Sequence, residues 1–328
     1  MDAARDRASR ATIWFRIVLA VAGLALLVAI VRHVGVDAIL ETLRPALRWL
    51  PVLCVLELVR MGCETLASRL AYGSLAKRIP LATLFRAHVI GQSLASLAPA
   101  PRVVNETIKI GLLTPFVGAA AATSVGFINQ AATLIAVGLF SIPCGLAILA
   151  VGGASVWLWA TALHAVVLVA SGLALQAVTR ADAPGRWLAK KVPRLAARAE
   201  AFRAHASETG LWAAGPTSAL MLGRCIQVVQ YGVAARAVGI DVGVLGAMTV
   251  EGVSLLASAV GVFVPAGLGA TDGAFTLAAD LLHTTVARAT SLALLMRCMQ
   301  IAWVPMGSIV ALLGSRAIPA QVPPKNDR

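Results

Sequence analysis

Long apolar stretches constrain the fold of this chain more than any other feature of its sequence. Six of them lie at about 13–31, 49–76, 116–140, 154–178, 211–237 and 285–314. The hydrocarbon core of a bilayer is about 30 Å thick, and a helix needs about 20 apolar residues to cross it. Each stretch is long enough for one crossing. The sequence therefore predicts an all-α, polytopic membrane helix bundle with about six spanning helices.

The composition argues against a soluble globular protein. Of the 328 residues, 59% are hydrophobic and 13% are charged, whereas soluble domains are roughly 45–50% apolar and about 25% charged. The net charge of +13 comes mainly from basic residues that flank the apolar stretches. That placement predicts no nucleic-acid partner. The cysteines and histidines are scattered, so neither a metal site nor a cofactor is expected.

Two further apolar segments are interrupted and are predicted to form re-entrant helix hairpins. The first, at about 80–113, contains Pro99 and Pro101, and the second, at about 243–283, contains Pro265, Gly267 and Gly269. Non-helical backbone at membrane depth is tolerated only inside protein or beside a watery cavity. The alternative is that each segment is a spanning helix plus a linker, which gives eight or more crossings.

The distribution of Lys and Arg predicts the orientation in the membrane. Most of these residues lie before residue 17, across 69–86, across 180–203 and after 315, whereas the opposite side holds only Arg32, Arg44, Arg48 and Arg236. The positive-inside rule then places both termini and the basic loop 180–208 in the cytoplasm of an inner-membrane protein. The loop is expected to contact the anionic inner leaflet, a plain solvated loop being the alternative.

A weak internal repeat relates the two halves of the chain. Pro99 and Glu106 match Pro265 and Asp272 at the same offset. The halves, at about 49–140 and 211–314, share the order helix, broken hairpin, helix. Because they begin on opposite sides of the membrane, the repeat is predicted to be inverted within a single domain covering 1–328. Inverted repeats are typical of transporters with a binding site at the membrane midplane.

Ionisable residues within the apolar segments are the candidate functional residues. Each costs at least about 2.5–3.5 kcal/mol at a helix centre, so it must pair or face a cavity. Structural ion pairing is the competing interpretation, and it applies most to Glu57, Arg60, Glu64 and Arg288, of which the first three share one helix face. The candidates for binding substrate are Arg102, Asn105, Glu106, Lys109, Arg224, Glu251, Asp272 and Arg297.

The first interrupted segment has the chemistry of an anion site. A helix that begins inside the membrane presents free N–H groups and a dipole that favour an anion. Arg102 and Lys109 add cationic donors, and arginine can bind phosphate through two N–H groups at once. Glu106 and Asp272 can balance these charges, carry protons or bind a cationic headgroup. The expected partner is a membrane lipid with a phosphate or other charged headgroup, whose tail stays in the bilayer.

Two motifs resemble the flippase-like family related to the transmembrane region of lysylphosphatidylglycerol synthase. Residues 101–109 (PRVVNETIK) are similar to a family motif R-x-G-E-x-x-(K/R), and residues 265–273 (PAGLGATDG) are similar to P-G-G-L-G-x-x-E-G. Asn105 stands in place of the usual glycine, with one extra residue in the spacing, and Asp272 stands in place of glutamate. Residues 90–93 (IGQS) and Glu251 resemble the subgroup associated with hopanoid gene clusters.

The resemblance covers about residues 10–315 and implies translocation of a lipid or lipid-linked headgroup across the cytoplasmic membrane. The sequence contains no ATP-binding motif, so we expect a facilitator or a proton-coupled translocator and not an enzyme; a homo-oligomer is compatible with this. Two alternatives stay open. One is a membrane-embedded lipid-modifying enzyme with Glu106 or Asp272 as general acid or base, and the other is a non-transporting subunit that organises lipid biosynthesis.

Overall fold

The computed structural model describes residues 25, 28–96, 101–181, 196–208, 210–262, 264, 267 and 269–314. Within these residues the protein is all-helical and has no strand, which confirms the predicted all-α class. Several predictions fall on residues outside the described part of the chain. These are Pro99 and Pro265, most of the first apolar stretch, both termini, and the portion 182–195 of the basic loop.

The described part of the chain contains eleven α-helices, numbered in chain order, and residues 28–34 form a further helical segment. The helices up to the centre of the chain are α1 (Val36–Ala46), α2 (Leu50–Tyr72), α3 (Leu81–Ala95), α4 (Pro101–Val117) and α5 (Ala119–Gly152). The following helices are α6 (Val156–Arg180), α7 (Ala196–Glu208), α8 (Ala214–Ala237), α9 (Val244–Gly261), α10 (Ala270–Leu277) and α11 (Val286–Gly314).

Four of the described helices, α5, α6, α9 and α11, are long and apolar enough to cross a membrane. Three of them occupy predicted crossings, whereas α9 belongs to the second interrupted segment. The 23 residues of α2 and the 24 residues of α8 fill two further predicted crossings, and each carries ionisable side chains such as Arg60 and Arg224. The chain is therefore a multi-pass membrane protein; six crossings and re-entrant hairpins stay predictions.

Both predicted interruptions fall between helices. The first separates α3 from α4, which begins at Pro101, and the second separates α9 from α10. Gly267 and Gly269 have φ angles of 61° and 74°, in the left-handed region that favours glycine. With eight residues, α10 rises about 12 Å along its axis, which is less than half of the hydrocarbon core.

Packing between the two predicted halves is reciprocal. Helix α2 packs against α8, α3 packs against α11, and α9 packs against α5. Within each half, the two arms of the interrupted segment contact each other, and the second arm contacts the following helix. This packing is compatible with two similar helix–hairpin–helix units. The repeat itself and the opposite membrane orientation of the units stay predictions.

Helix α5 lies inside the bundle, and α6 covers it from the outside. A Cβ atom added to Gly138 would lie 2.8 Å from the backbone N of Val169, and one added to Gly172 would lie 2.9 Å from the carbonyl oxygen of Ala131. Small residues at such contacts let membrane helices approach closely. The opposite face of α6 exposes large apolar side chains, including Trp159, as expected for a surface that faces lipid.

Candidate functional site

A polar cavity of about 300 Å³ lies within the bundle. Its walls come from α2, α3, α4, α5, α8, α9, α10 and α11, so both predicted halves contribute. The two interruptions also border it, the first through Ser96 and Pro101 and the second through Val264 and Gly267. Unpaired backbone groups at a helix break are tolerated where they line such a cavity. The two breaks therefore meet at one polar space.

Charged side chains of both signs line the cavity. The acidic ones are Glu57, Glu64 and Glu106, and the basic ones are Arg60, Arg102, Lys109 and Arg224. Charges within an apolar bundle must be paired or solvated. How each is paired separates the residues that stabilise the bundle from those that are available to a substrate.

Arg60 is bound by two carboxylates on its own helix. Its Nε and Nη2 donate to the two oxygens of Glu57 at 2.9 and 2.6 Å, and its Nη1 donates to Glu64. Gln230 of α8 also donates to Glu57 Oε2, at 3.4 Å. The ion-pair interpretation of these α2 residues is confirmed. Arg288 differs, because it is exposed and no ion pair joins it to another residue of the described chain.

The first turns of α4 place four candidate residues on the cavity wall, Arg102, Asn105, Glu106 and Lys109. Lys109 Nζ donates to Glu106 Oε1 at 2.5 Å, and the Lys109 side chain is buried. Asn105 Nδ2 donates to Gln92 Oε1 of α3 at 3.3 Å. At this crossing α3 comes so close that a Cβ atom on Gly91 would lie 2.2 Å from Asn105 Oδ1. The Asn105 contact thus fixes the two arms of the first interrupted segment against each other.

Arg102 is the exception among the cations of the cavity. It lies in the first turn of α4, lines the cavity and is exposed. Across the ranges that the structure describes, no hydrogen bond or ion pair engages its guanidinium group. Its five N–H donors are therefore available at an open side of the cavity.

Arg224 of α8 is shared between a neutral and an acidic partner. Its Nη1 donates to Gln227 Oε1 at 2.6 Å and reaches Glu251 Oε1 of α9 at 3.5 Å. Glu251 is fully buried behind the cavity wall. Its Oε2 has no hydrogen-bond partner among the described residues. The predicted site residue Glu251 therefore acts on the cavity through Arg224 and does not line it.

Asp272 and Arg297 pair with each other away from the cavity lining. Asp272 Oδ2 accepts from Arg297 Nη2 of α11 at 2.6 Å and from the backbone N of Gly269 at 3.0 Å. The second contact caps the N-terminus of α10. The expectation that Glu106 and Asp272 face one cavity is thus met only by Glu106. The physical reason is that the cap and Arg297 both bind Oδ2 of Asp272 and hold this carboxylate inside packed protein.

Comparison with known proteins gives a match over most of the chain. A family model described as the lysylphosphatidylglycerol synthase TM region matches residues 13–307. The chain belongs to this family. The predicted family resemblance is confirmed, whereas the hopanoid-associated subgroup stays a prediction. The chain matches no curated protein and no solved structure significantly.

Membership of the lysylphosphatidylglycerol synthase TM region family implies a membrane lipid-related function. The two motifs of the sequence occupy different places in this domain. From the first motif, Arg102, Glu106 and Lys109 line the cavity. From the second motif, Gly267 lines the cavity, whereas Asp272 caps α10. The first motif therefore supplies charged side chains to the cavity. The second motif supplies the interruption between α9 and α10, where Asp272 caps the N-terminus of α10.

Sequence reasoning missed the neutral polar side chains of this family domain. Ser68, His88, Asn129 and Gln227 all line the cavity. A signal was present for Ser68, because it lies four residues after Glu64 and hence on the same face of α2. The residues from α3, α5 and α8 had no such signal, because the rotation of separate helices is set by tertiary packing.

Proposed function

We propose that this protein translocates an anionic, phosphate-containing lipid headgroup between the leaflets of the cytoplasmic membrane. The observation that carries the proposal is Arg102, a cavity-lining arginine without an ion-pair partner in the described residues, placed where two helix interruptions meet. The family relationship supports a lipid as the substrate class. The headgroup enters the cavity, and the acyl or prenyl tail stays in the bilayer.

The pairing of the other cations leaves Arg102 as the one cavity-lining cation without a carboxylate partner in the described residues. Arg60 is bound by two carboxylates, Lys109 by Glu106, and Arg224 by Glu251. Glu106 lies four residues after Arg102, but its Oε1 is engaged by Lys109. A phosphodiester carries one negative charge and accepts two parallel N–H bonds from a guanidinium group. Arg102 therefore fits a phosphodiester in both charge and geometry.

The start of α4 adds a second source of attraction for an anion. Pro101 occupies the first position of this helix, and the first turn contains no acidic residue. Proline at that position is typical of a helix start, where backbone N–H groups without partners and the helix dipole favour negative charge. A phosphate bound by Arg102 would lie within reach of these groups.

The size of the cavity sets what part of a lipid it accepts. A volume of about 300 Å³ is at the lower end of the range for small-molecule sites, which suits a headgroup and excludes two acyl chains. Movement between leaflets then requires the cavity to open sideways to the bilayer. The left-handed backbone at Gly267 and Gly269 supplies a point about which the arms of the second interrupted segment can move.

Reconstitution tests the proposal directly. The purified protein is placed in liposomes that contain a fluorescent phosphatidylglycerol, and a membrane-impermeant reductant quenches the probe in the outer leaflet. We expect faster loss of the protected inner-leaflet signal than in protein-free liposomes, and little acceleration with Arg102→Gln. Mass spectrometry of the same liposomes must show an unchanged phosphatidylglycerol headgroup. A changed headgroup would favour the lipid-modifying enzyme, and neither movement nor a product would favour the organising subunit.

A further inference from the structure

A second feature of the cavity wall is a row of three side chains, a serine hydrogen-bonded to a histidine with a carboxylate beyond it, that the proposed translocation does not use. His88 Nε2 lies 2.9 Å from Ser68 Oγ, and His88 Nδ1 lies 3.7 Å from Glu64 Oε2. All three residues line the cavity. Ser68 and Glu64 come from adjacent turns of α2, and His88 comes from the facing helix α3.

The position of each proton in this row of side chains follows from the donors around it. Asn129 Nδ2 donates to Ser68 Oγ at 2.8 Å, so the single hydroxyl proton of Ser68 is directed at His88 Nε2. The neutral His88 ring then carries its proton on Nδ1, which makes no hydrogen bond to the described residues and lies 3.7 Å from Glu64 Oε2. Arg60 pairs with Glu64. The Glu64 carboxylate therefore lies between Arg60 and the Nδ1 side of the imidazole ring.

This order of hydroxyl, imidazole and carboxylate is the arrangement that activates a serine nucleophile. Hydrogen bonds that served only to hold α2, α3 and α5 together would not need a basic nitrogen as the acceptor of the Ser68 proton. Such hydrogen bonds would also not need the serine to face a cavity.

We propose that Ser68 is a nucleophile that attacks a carboxylic ester of a membrane lipid, with His88 as its general base. Ser68 Oγ forms a bond to the ester carbonyl carbon as its proton passes to His88 Nε2. The ester C–O bond then breaks, and His88 returns the proton to the departing alcohol oxygen. Water, activated by His88 in the same way, cleaves the acyl–Ser68 ester and releases the carboxylic acid.

The depth of Ser68 suits an ester of this kind. It lies four residues before Tyr72, the last residue of α2, which is about 6 Å along the helix axis. The segment that follows, Gly73–Arg78, contains Lys77 and Arg78. Basic residues at the end of a membrane helix mark the interface with water, and the ester groups of phospholipids lie close to that interface. A lipid ester can therefore meet Ser68 without crossing the bilayer.

Covalent labelling of the full-length protein in lipid nanodiscs tests the proposal. An alkyl fluorophosphonate reacts with activated serines, and peptide mass spectrometry locates the adduct. We expect an adduct on Ser68 and its loss in Ser68→Ala. Ser258 is a matched control, because it lines the same cavity and is more exposed but has no histidine contact in the described structure; labelling must survive Ser258→Ala.

A second variant separates base catalysis from structural support. His88→Gln retains a side chain that can hydrogen-bond Ser68 but cannot take its proton. General bases typically contribute about 10²–10⁴-fold, so we expect labelling to slow by at least about 100-fold with the thermal midpoint unchanged. No adduct on Ser68 in the folded wild-type protein, or equal rates in His88→Gln, would overturn the proposal. Neither result bears on the liposome assay, which tests translocation separately.

Discussion

Two of the three arginines that line the cavity in the described structure, Arg60 and Arg102, provide a matched pair of substitutions with opposite expected effects. Arg60 is held by Glu57 and Glu64, whereas Arg102 lines the same cavity without an ion-pair partner in the described residues. Replacing either with glutamine removes one positive charge and leaves a polar side chain of moderate length. We expect Arg60→Gln to destabilise the protein and Arg102→Gln to impair translocation without destabilising it.

The expected magnitudes follow from the contacts that each change removes. Arg60→Gln leaves the buried carboxylate of Glu57 and the partly buried carboxylate of Glu64 without their cation. Removing one partner of a buried ion pair costs about 3–5 kcal/mol, which is about 10²- to 10⁴-fold in the folding equilibrium. Arg102→Gln breaks no contact of the described structure, so its effect on stability stays within about 0.5 kcal/mol. A lost charge-assisted hydrogen bond to phosphate is worth about 1.5–3 kcal/mol, and we expect translocation to slow about 10- to 100-fold.

Two measurements on each purified variant decide this prediction. The thermal unfolding midpoint in a fixed detergent reports stability, and the liposome assay reports headgroup movement. Equal loss of stability in both variants would show that Arg102 is a structural residue. Full translocation activity in a folded Arg102→Gln protein would show that the phosphate does not bind at Arg102, and the argument from cation pairing would then be wrong.

Three further predictions concern packing, topology and the second ion pair of the cavity. Gly172→Ala places a Cβ atom against backbone of α5, and we expect thermal unfolding to show a loss of about 1–3 kcal/mol; an unchanged midpoint would contradict the close α5–α6 contact. Single cysteines at Lys77 and Asp241 in a cysteine-free background should react with an impermeant thiol reagent from opposite sides of the membrane, and labelling from one side would refute the inverted repeat. Glu106→Gln leaves the buried Lys109 without its carboxylate, so thermal unfolding should show destabilisation that Lys109→Met partly reverses; a Glu106→Gln variant with wild-type stability would contradict the pairing.

Local sequence signals were sufficient to predict the long apolar helices and the two interruptions. They did not predict α1, or α7 within the segment 180–208 that was expected to be a loop. Apolar stretches mark where a helix can lie in a membrane, and Pro101 and Gly267 mark where it cannot continue. Both signals depend on residues that are close together in the chain. The same holds for Glu57, Arg60 and Glu64, whose spacing alone predicts that they meet on one helix face.

Contacts between helices could not be predicted from the sequence in the same way. Asp272 pairs with Arg297 across 25 positions of the chain, and nothing in either segment indicates which ionisable residue is the partner of the other. The cavity residues His88 and Asn129 depend on the rotation of α3 and α5 about their own axes. That rotation is set by close packing such as the contact at Gly91. The hydrophobic periodicity of a single helix does not indicate such a contact.

Photocrosslinking of a headgroup-modified lipid tests most directly whether the cavity binds a phospholipid headgroup. The wild-type protein is reconstituted with a phosphatidylglycerol that carries a diazirine in its headgroup, illuminated and digested for peptide mass spectrometry. We predict adducts on the cavity-lining residues of α4 and around the two interruptions, with a clear decrease in Arg102→Gln. Adducts confined to the lipid-facing surface of α6 around Trp159, and equal in both proteins, would contradict the account.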